Sequence, residues 1–96
     1  MKRYKWNAEK NELLKKKREI SSEEIITALK EGKLLDRYKH SNEKKYPHQE
    51  IMVVEIKGSA YLVPFIEAEE KYFLKTIFRS RKATKKYLKK EDKNGK

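Results

Sequence analysis

Apolar residues are thin over the first third of the chain and crowd between residues 51 and 78, which are rich in Ile, Val, Leu, Phe and Tyr. Tyr4-Lys5-Trp6 sets aromatic residues on alternate positions and predicts a short edge strand. Asn7 then stands where a helix N-cap belongs, because its side-chain oxygen can accept from an orphan backbone N–H. The helix predicted over residues 8–19 is apolar only at Ala8, Leu13 and Leu14 and carries the block Lys15-Lys16-Lys17-Arg18. A helix this polar belongs on the surface, held by Leu13 and Leu14. Ser21-Ser22-Glu23-Glu24 is a capping box, and Ile20 with Ile25 has the spacing of a hydrophobic staple. The second helix carries Ile25, Ile26 and Leu29 on one side and ends at Gly32, a good residue just past a helix.

Residues 34–38 predict a short strand, and residues 39–49 a polar loop with Pro47 and both histidines, His40 and His48. Three strands follow, over 50–57, 60–67 and 71–79, with Gly58-Ser59 opening a tight hairpin turn and Ala68-Glu69-Glu70 making the next. Pro64 points to an edge position or a bulge, since it cannot donate to a ladder. Strict alternation along the third strand puts Lys75 and Arg79 on one face, joined by Arg81 if the chain stays extended. A last helix over residues 82–90 aligns Ala83 and Tyr87, with Leu88 beside them, and is otherwise lysine-rich. The order predicts a single α+β domain over residues 1–90, with two N-terminal helices and a C-terminal helix packed on one face of an antiparallel sheet. The other face would be partly open, and basic side chains could collect there. Residues 91–96 form a polar, Gly-containing tail.

Charge changes this picture. Residues 71–96 hold eleven Lys or Arg and two acids, whereas residues 1–70 hold fifteen basic and thirteen acidic residues. Almost all of the net +11 therefore belongs to the C-terminal end. A field segregated this way calls for a polyanion, nucleic acid first and an acidic protein second, because neutralised phosphates release condensed counterions. With no cysteine and two histidines, disulfides, thiolate sites and the usual zinc spacings are not available. No metal or other cofactor is expected. No apolar run follows Met1-Lys2-Arg3, and the longest apolar stretch is far too short to span a bilayer, so neither a secretory signal nor a membrane partner is expected. A cytoplasmic location suits this composition.

The sharpest constellation is Lys75, Arg79, Arg81, Lys82 and Lys85, with Tyr61, Tyr72 and Tyr87 as stacking platforms. Arg grips phosphate with a bidentate fork, Lys acts as a point charge, and aromatic rings take unpaired bases. The plainer reading is a solvated surface that only keeps the protein soluble. Metal-free RNA cleavage needs cations on the phosphate and an acid and a base to move protons. Arg79 and Arg81 fit the first role. For proton transfer, His48 has a suitable intrinsic pKa, as does His40, and Glu55 and Glu67 are carboxylate alternatives. Lys17 and Arg18 offer a second basic site, or simply a solvent-facing stripe.

Trp6, Lys10, Asn11 and Leu14, then Ile20-Ser21-x-Glu23-Glu24, a hairpin, and Arg79-Ser80-Arg81-Lys82-Ala83-Thr84-Lys85 occur in an order and spacing that resembles the BrnT-type toxins of bacterial toxin–antitoxin pairs. The resemblance runs from about Tyr4 to Leu88. It implies a RelE-like ribonuclease fold, RNA as substrate, and a small antitoxin that neutralises the toxin and carries it to operator DNA. It also implies catalytic roles for Arg79 and Arg81 and RNA contacts by Lys17 and Arg18. Two departures stand out: Arg18-Glu19 replaces the His-Gly of many members, and Ser22 replaces their Phe. The alternative of another class is a non-catalytic module whose basic C-terminal face binds nucleic acid or an acidic protein.

Overall fold

The computed structural model describes residues 3–88. Its elements run β1 (Arg3–Trp6), α1 (Ala8–Arg18), α2 (Ser22–Lys30), β2 (Leu34–Lys39), β3 (Gln49–Ile56), β4 (Ser59–Glu67), β5 (Lys71–Leu74), β6 (Phe78–Arg79) and α3 (Arg81–Leu88). One sheet orders them β1-β5-β4-β3-β2, with β6 also paired to β4. The α+β class is as expected, but the sheet is mixed: β1 runs parallel to β5, with Tyr4 opposite Tyr72 and Trp6 opposite Leu74. The expected end of the last helix and the tail lie outside the described residues.

Capping explains the helices. Asn7 Oδ1 accepts the Lys10 N–H at 2.9 Å and starts α1, and Ser21 Oγ accepts the Glu24 N–H at 3.3 Å and starts α2. At the far end of α2, Gly32 takes a φ of +77° while Lys33 N–H reaches back to the Ala28 carbonyl at 3.0 Å, the closure a glycine at this position permits. The last residue of the α1 cap, Glu19, also adopts the left-handed region, with φ of 55°. Buried Asn11 clips the two helices together: its Oδ1 accepts the Ser22 N–H at 2.8 Å and its Nδ2 donates to Glu23 at 3.0 Å. On α1 it is Asn11 and Leu14 that face the core, whereas Leu13 is exposed, contrary to its expected role as an anchor. Ser22 is buried beside this clip.

The core divides by the period-two alternation of strands. Met52, Val54, Val63, Phe65, Leu74 and Ile77 face α1 and α2, meeting Leu14, Ile20, Ile25 and Ala28. Val53 and Ala60, with Leu62 and Leu35, face the other way and meet Ala83, Tyr87 and Leu88 of α3. The helices therefore do not share one face: α1 and α2 cover one side and α3 the other. This corrects the expected one-sided packing and its open basic face. Covering on both sides is why Met52-Val53-Val54 are buried in succession.

Two local departures set the geometry of the site. The β3–β4 turn is Lys57-Gly58, one residue earlier than expected, with φ of 51° and 81° and Ile56 paired to Ser59. Both central residues lie at positive φ, as the twist of a two-residue hairpin demands. The segment expected as one strand over 71–79 is broken into β5 and β6. Phe65 pairs with Leu74 but Leu62 pairs with Phe78, so the outer strand carries one residue more than β4 opposite it. The surplus falls beside Pro64, whose carbonyl accepts the Lys75 N–H at 2.8 Å but which has no N–H to return. Alternation restarts one position later, and Ile77 and Arg79 turn to the α1/α2 side.

Two stability outcomes follow from these contacts. Replacing Asn11 by Ala leaves the buried Ser22 N–H unpaired and should cost about 1–3 kcal/mol, seen as a lowered thermal midpoint, whereas Glu12→Ala on the exposed side should change little. Conversely, Glu19→Gly relieves a left-handed non-glycine residue and should raise stability by roughly 1 kcal/mol in urea denaturation.

Candidate functional site

The shifted register brings Arg79 opposite Tyr61 on the side of the sheet that α1 and α2 cover. There the end of α1, the start of α2 and the Lys57 turn converge on a cleft of about 590 Å³. Arg18, Lys57 and Arg79 line it with Tyr61, and the carboxylates Glu19 and Glu24 line it too. Arg18 is fixed by a bond to the bulge: its Nη1 donates to the Ile77 carbonyl at 2.7 Å, so a group that the broken ladder leaves over is satisfied from α1. The other guanidinium N–H groups of Arg18 are left for a ligand.

Among the described residues, Glu19 and Lys57 are the two non-glycine residues at positive φ, and both line this cleft. Glu19 closes α1 and Lys57 opens the two-residue hairpin, both places where a positive φ is ordinary. Three cations, two carboxylates and a phenol in one concavity can bind a phosphate and move a proton beside it.

The other residues singled out from the sequence lie elsewhere. Lys75 does not share a face with Arg79, because the bulge intervenes: its ammonium lies 5.4 Å from the centre of the Phe73 ring, and Phe73 pairs with Ile66 on the opposite face. Arg81, Lys82 and Lys85 belong to α3 and do not line the cleft, nor does Lys17 on the exposed side of α1. His48 sits just before β3, beyond the Gln49–Ile66 pair, and Ile66 lies five residue steps along β4 from Tyr61, about 17 Å. A proton cannot pass directly from His48 to a phosphate held at Arg79. Glu55 lies outside the cleft as well. Glu67 is engaged at the far end of the sheet, where Arg37 donates to it at 2.6 Å and to Glu50 at 2.8 Å while lying over the Phe65 and Tyr72 rings. That clamp raises the affinity of Arg37 for its proton, chiefly through Glu50. The sequence carried no local signal for it, since its members come from β2, β3, β4 and β5.

Sequence reasoning passed over Lys57, Glu19 and Glu24 as site residues. Each had been accounted for as a turn neighbour, a helix end or a cap, and only the meeting of three chain segments makes them one site.

On the opposite face, α3 is anchored by hydroxyls. Ser80 Oγ accepts the Ala83 N–H at 3.0 Å and caps the helix, and Thr84 Oγ1 donates to the Ser80 carbonyl while accepting the Ala60 N–H, both at 2.8 Å. Tyr87 donates to Asp36 of β2 at 2.5 Å. This bond holds the Asp36 carboxyl below its ordinary range and, with burial second, pushes the Tyr87 phenol up to about 12. Among the described residues, no helix is long and apolar enough to cross a membrane, and no three His, Asp or Glu cluster as metal ligands.

Compared with known proteins, the chain matches no family model, no curated protein and no solved structure.

The Asp36–Tyr87 bond has a defined pH window. The lowered Asp36 contributes stability that is present above the ordinary carboxylate value of 3.8 and lost as pH falls through its folded value. The raised Tyr87 contributes stability that is full below pH 10 and lost as pH rises through about 12. The stability difference between wild type and Tyr87→Phe should therefore be flat between about pH 4 and 10 and shrink on both sides, as urea denaturation across pH would record.

Proposed function

We propose that the protein is a metal-independent ribonuclease of RelE-like arrangement, the toxin of a type II toxin–antitoxin pair. The observation that carries this reading is the cleft in which Arg18, Lys57 and Arg79 meet Tyr61 and two carboxylates. Arg79 and Arg18 hold the scissile phosphate and stabilise the charge that grows on its oxygens. Glu24 accepts the proton of the attacking 2′-hydroxyl, the bond from phosphorus to the 5′-oxygen breaks, and Tyr61 protonates the leaving oxygen. The products are a 2′,3′-cyclic phosphate and a free 5′-hydroxyl.

Glu19 departs from the glycine that many BrnT-type toxins carry at the matching position, and its left-handed φ is that of an ordinary helix end. A small antitoxin is the protein partner under this reading, operator DNA is met only through it, and the site of action is the cytoplasm. Arg81, which the resemblance implies as catalytic, stands outside the cleft and acts here on RNA binding.

Induction of the chain in a bacterial host tests the proposal. Wild type should arrest growth with loss of bulk mRNA, and purified protein should cleave RNA in the presence of a chelator. Arg79→Ala should cut the rate by about two to three powers of ten, the scale of one lost transition-state donor, whereas Lys44→Ala in the β2–β3 loop should leave it unchanged. Arrest and cleavage that survive Arg79→Ala intact would discard this site, and soluble wild type that neither arrests growth nor cuts RNA would discard the ribonuclease.

A further inference from the structure

The α3 surface lies on the face of the sheet away from the cleft, and its residues sort by side. Ala83, Thr84, Tyr87 and Leu88 turn to the sheet, and Arg81, Lys82, Lys85 and Lys86 are exposed. At 100° per residue the four cations share an arc of about 140°. Arg81 with Lys85, and Lys82 with Lys86, form two rows one turn apart, about 6 Å along the axis. Among the described residues, Arg81, Lys82 and Lys85 form no salt bridge.

Beside this stripe a groove of about 490 Å³ opens between α3 and β2, lined by Tyr38, Leu62, Tyr87, Lys82 and Lys86. Tyr38 is 41% exposed there, although it is a large aromatic residue. Lys86 lies 5.2 Å from the centre of the Tyr87 ring. Asp36, the single acid in the groove, is already engaged: one oxygen accepts the Arg37 N–H at 2.7 Å and the other accepts the Tyr87 hydroxyl. Cations repeated at one-turn intervals beside the exposed Tyr38 and the half-buried Tyr87 match a periodic polyanion that carries flat bases, which is single-stranded nucleic acid. The stripe also connects to the cleft. Arg79 and Arg81 flank Ser80, whose N–H donates to the Ala60 carbonyl at 2.9 Å and whose hydroxyl caps α3, so the corner between the two faces is fixed.

We infer that the groove between α3 and β2 is a second RNA site, which takes the single-stranded nucleotides flanking the phosphate held in the cleft. Bases stack on Tyr38 and Tyr87 while Lys82 and Lys86 neutralise their phosphates, and the strand turns the corner at Ser80. The inference rests on the proposed ribonuclease for what is cut, but not for what is bound.

The test is fluorescence anisotropy of the full chain with a labelled oligouridylate of about 12 nucleotides, followed across salt, beside a duplex of equal length and a polyglutamate peptide. The single strand should bind best. Lys82→Ala/Lys86→Ala should weaken it and reduce the slope of log K against log salt by about 1.4, two single-strand phosphates at ~0.7 each. Tyr38→Ala should weaken it about ten- to a hundredfold while leaving the salt slope alone. Cleavage of a dinucleotide, which reaches no further than the cleft, should be unchanged in both variants. Binding that responds to the variants without any cleavage upholds the groove and removes the ribonuclease. Unchanged affinity and slope in the double lysine variant overturn the groove even if RNA is cut. Tighter binding of polyglutamate than of RNA overturns it in favour of an acidic protein partner.

Discussion

The molecule turns on one surplus residue opposite β4. That strand pairs with β3 from Ser59 to Ile66 on one side and with both β5 and β6 on the other. Pro64 lies in the middle of it and has no N–H to give to the outer side, so the ladder there is interrupted and the chain bulges. The shift by one residue is what lets Leu74 and Ile77, three apart, both enter the core beneath α1 and α2. It also swings Arg79 to that side, across from Tyr61. Arg18 closes the arrangement by binding the Ile77 carbonyl.

Charge is handled differently at the two ends of the sheet. At one end, Arg37 pairs with Glu50 and Glu67 and lies over the Phe65 and Tyr72 rings, which ties four strands together. At the other end the cations of the cleft and of α3 point to solvent. The uneven charge of the sequence thus becomes two basic surfaces, one on each face, joined at Ser80. Burial of α3 uses Ala83, Thr84, Tyr87 and Leu88, which leaves Arg81, Lys82 and Lys85 exposed.

Hydroxyl and amide side chains do the joining that a small core alone would leave loose. Asn11 fastens α1 to α2, Thr84 fastens α3 to the start of β4, and Tyr87 fastens α3 to β2. Each satisfies a backbone group or carboxylate that would otherwise be unpaired. The cleft and the groove inherit their shapes from these three fasteners.

Local chemistry was legible in the sequence because it acts over three or four residues. Asn7 and Ser21 as caps, Gly32 as a helix end, the apolar run of β3 and the amphipathic sides of α2 and α3 all appear as read. Pro64 pointed to an edge position or a bulge: β4 is a central strand, so the edge position is wrong, and the extra residue lies on the neighbouring strand. Arg79, Arg18 and Tyr61 were chosen from charge and aromaticity, and they do come together in the cleft. Lys75, Arg81, Lys82, Lys85 and Lys17, singled out for charge, and His48, singled out for its intrinsic pKa, lie elsewhere. Which face each strand residue takes depends on register, and register depends on pairing partners far away in the chain. The sequence by itself therefore determined the helix caps, most of the elements and where the charge is held. Only the tertiary structure decided that β1 runs parallel to β5, that α3 crosses to the other face, and that one residue too many beside Pro64 turns Arg79 toward α1.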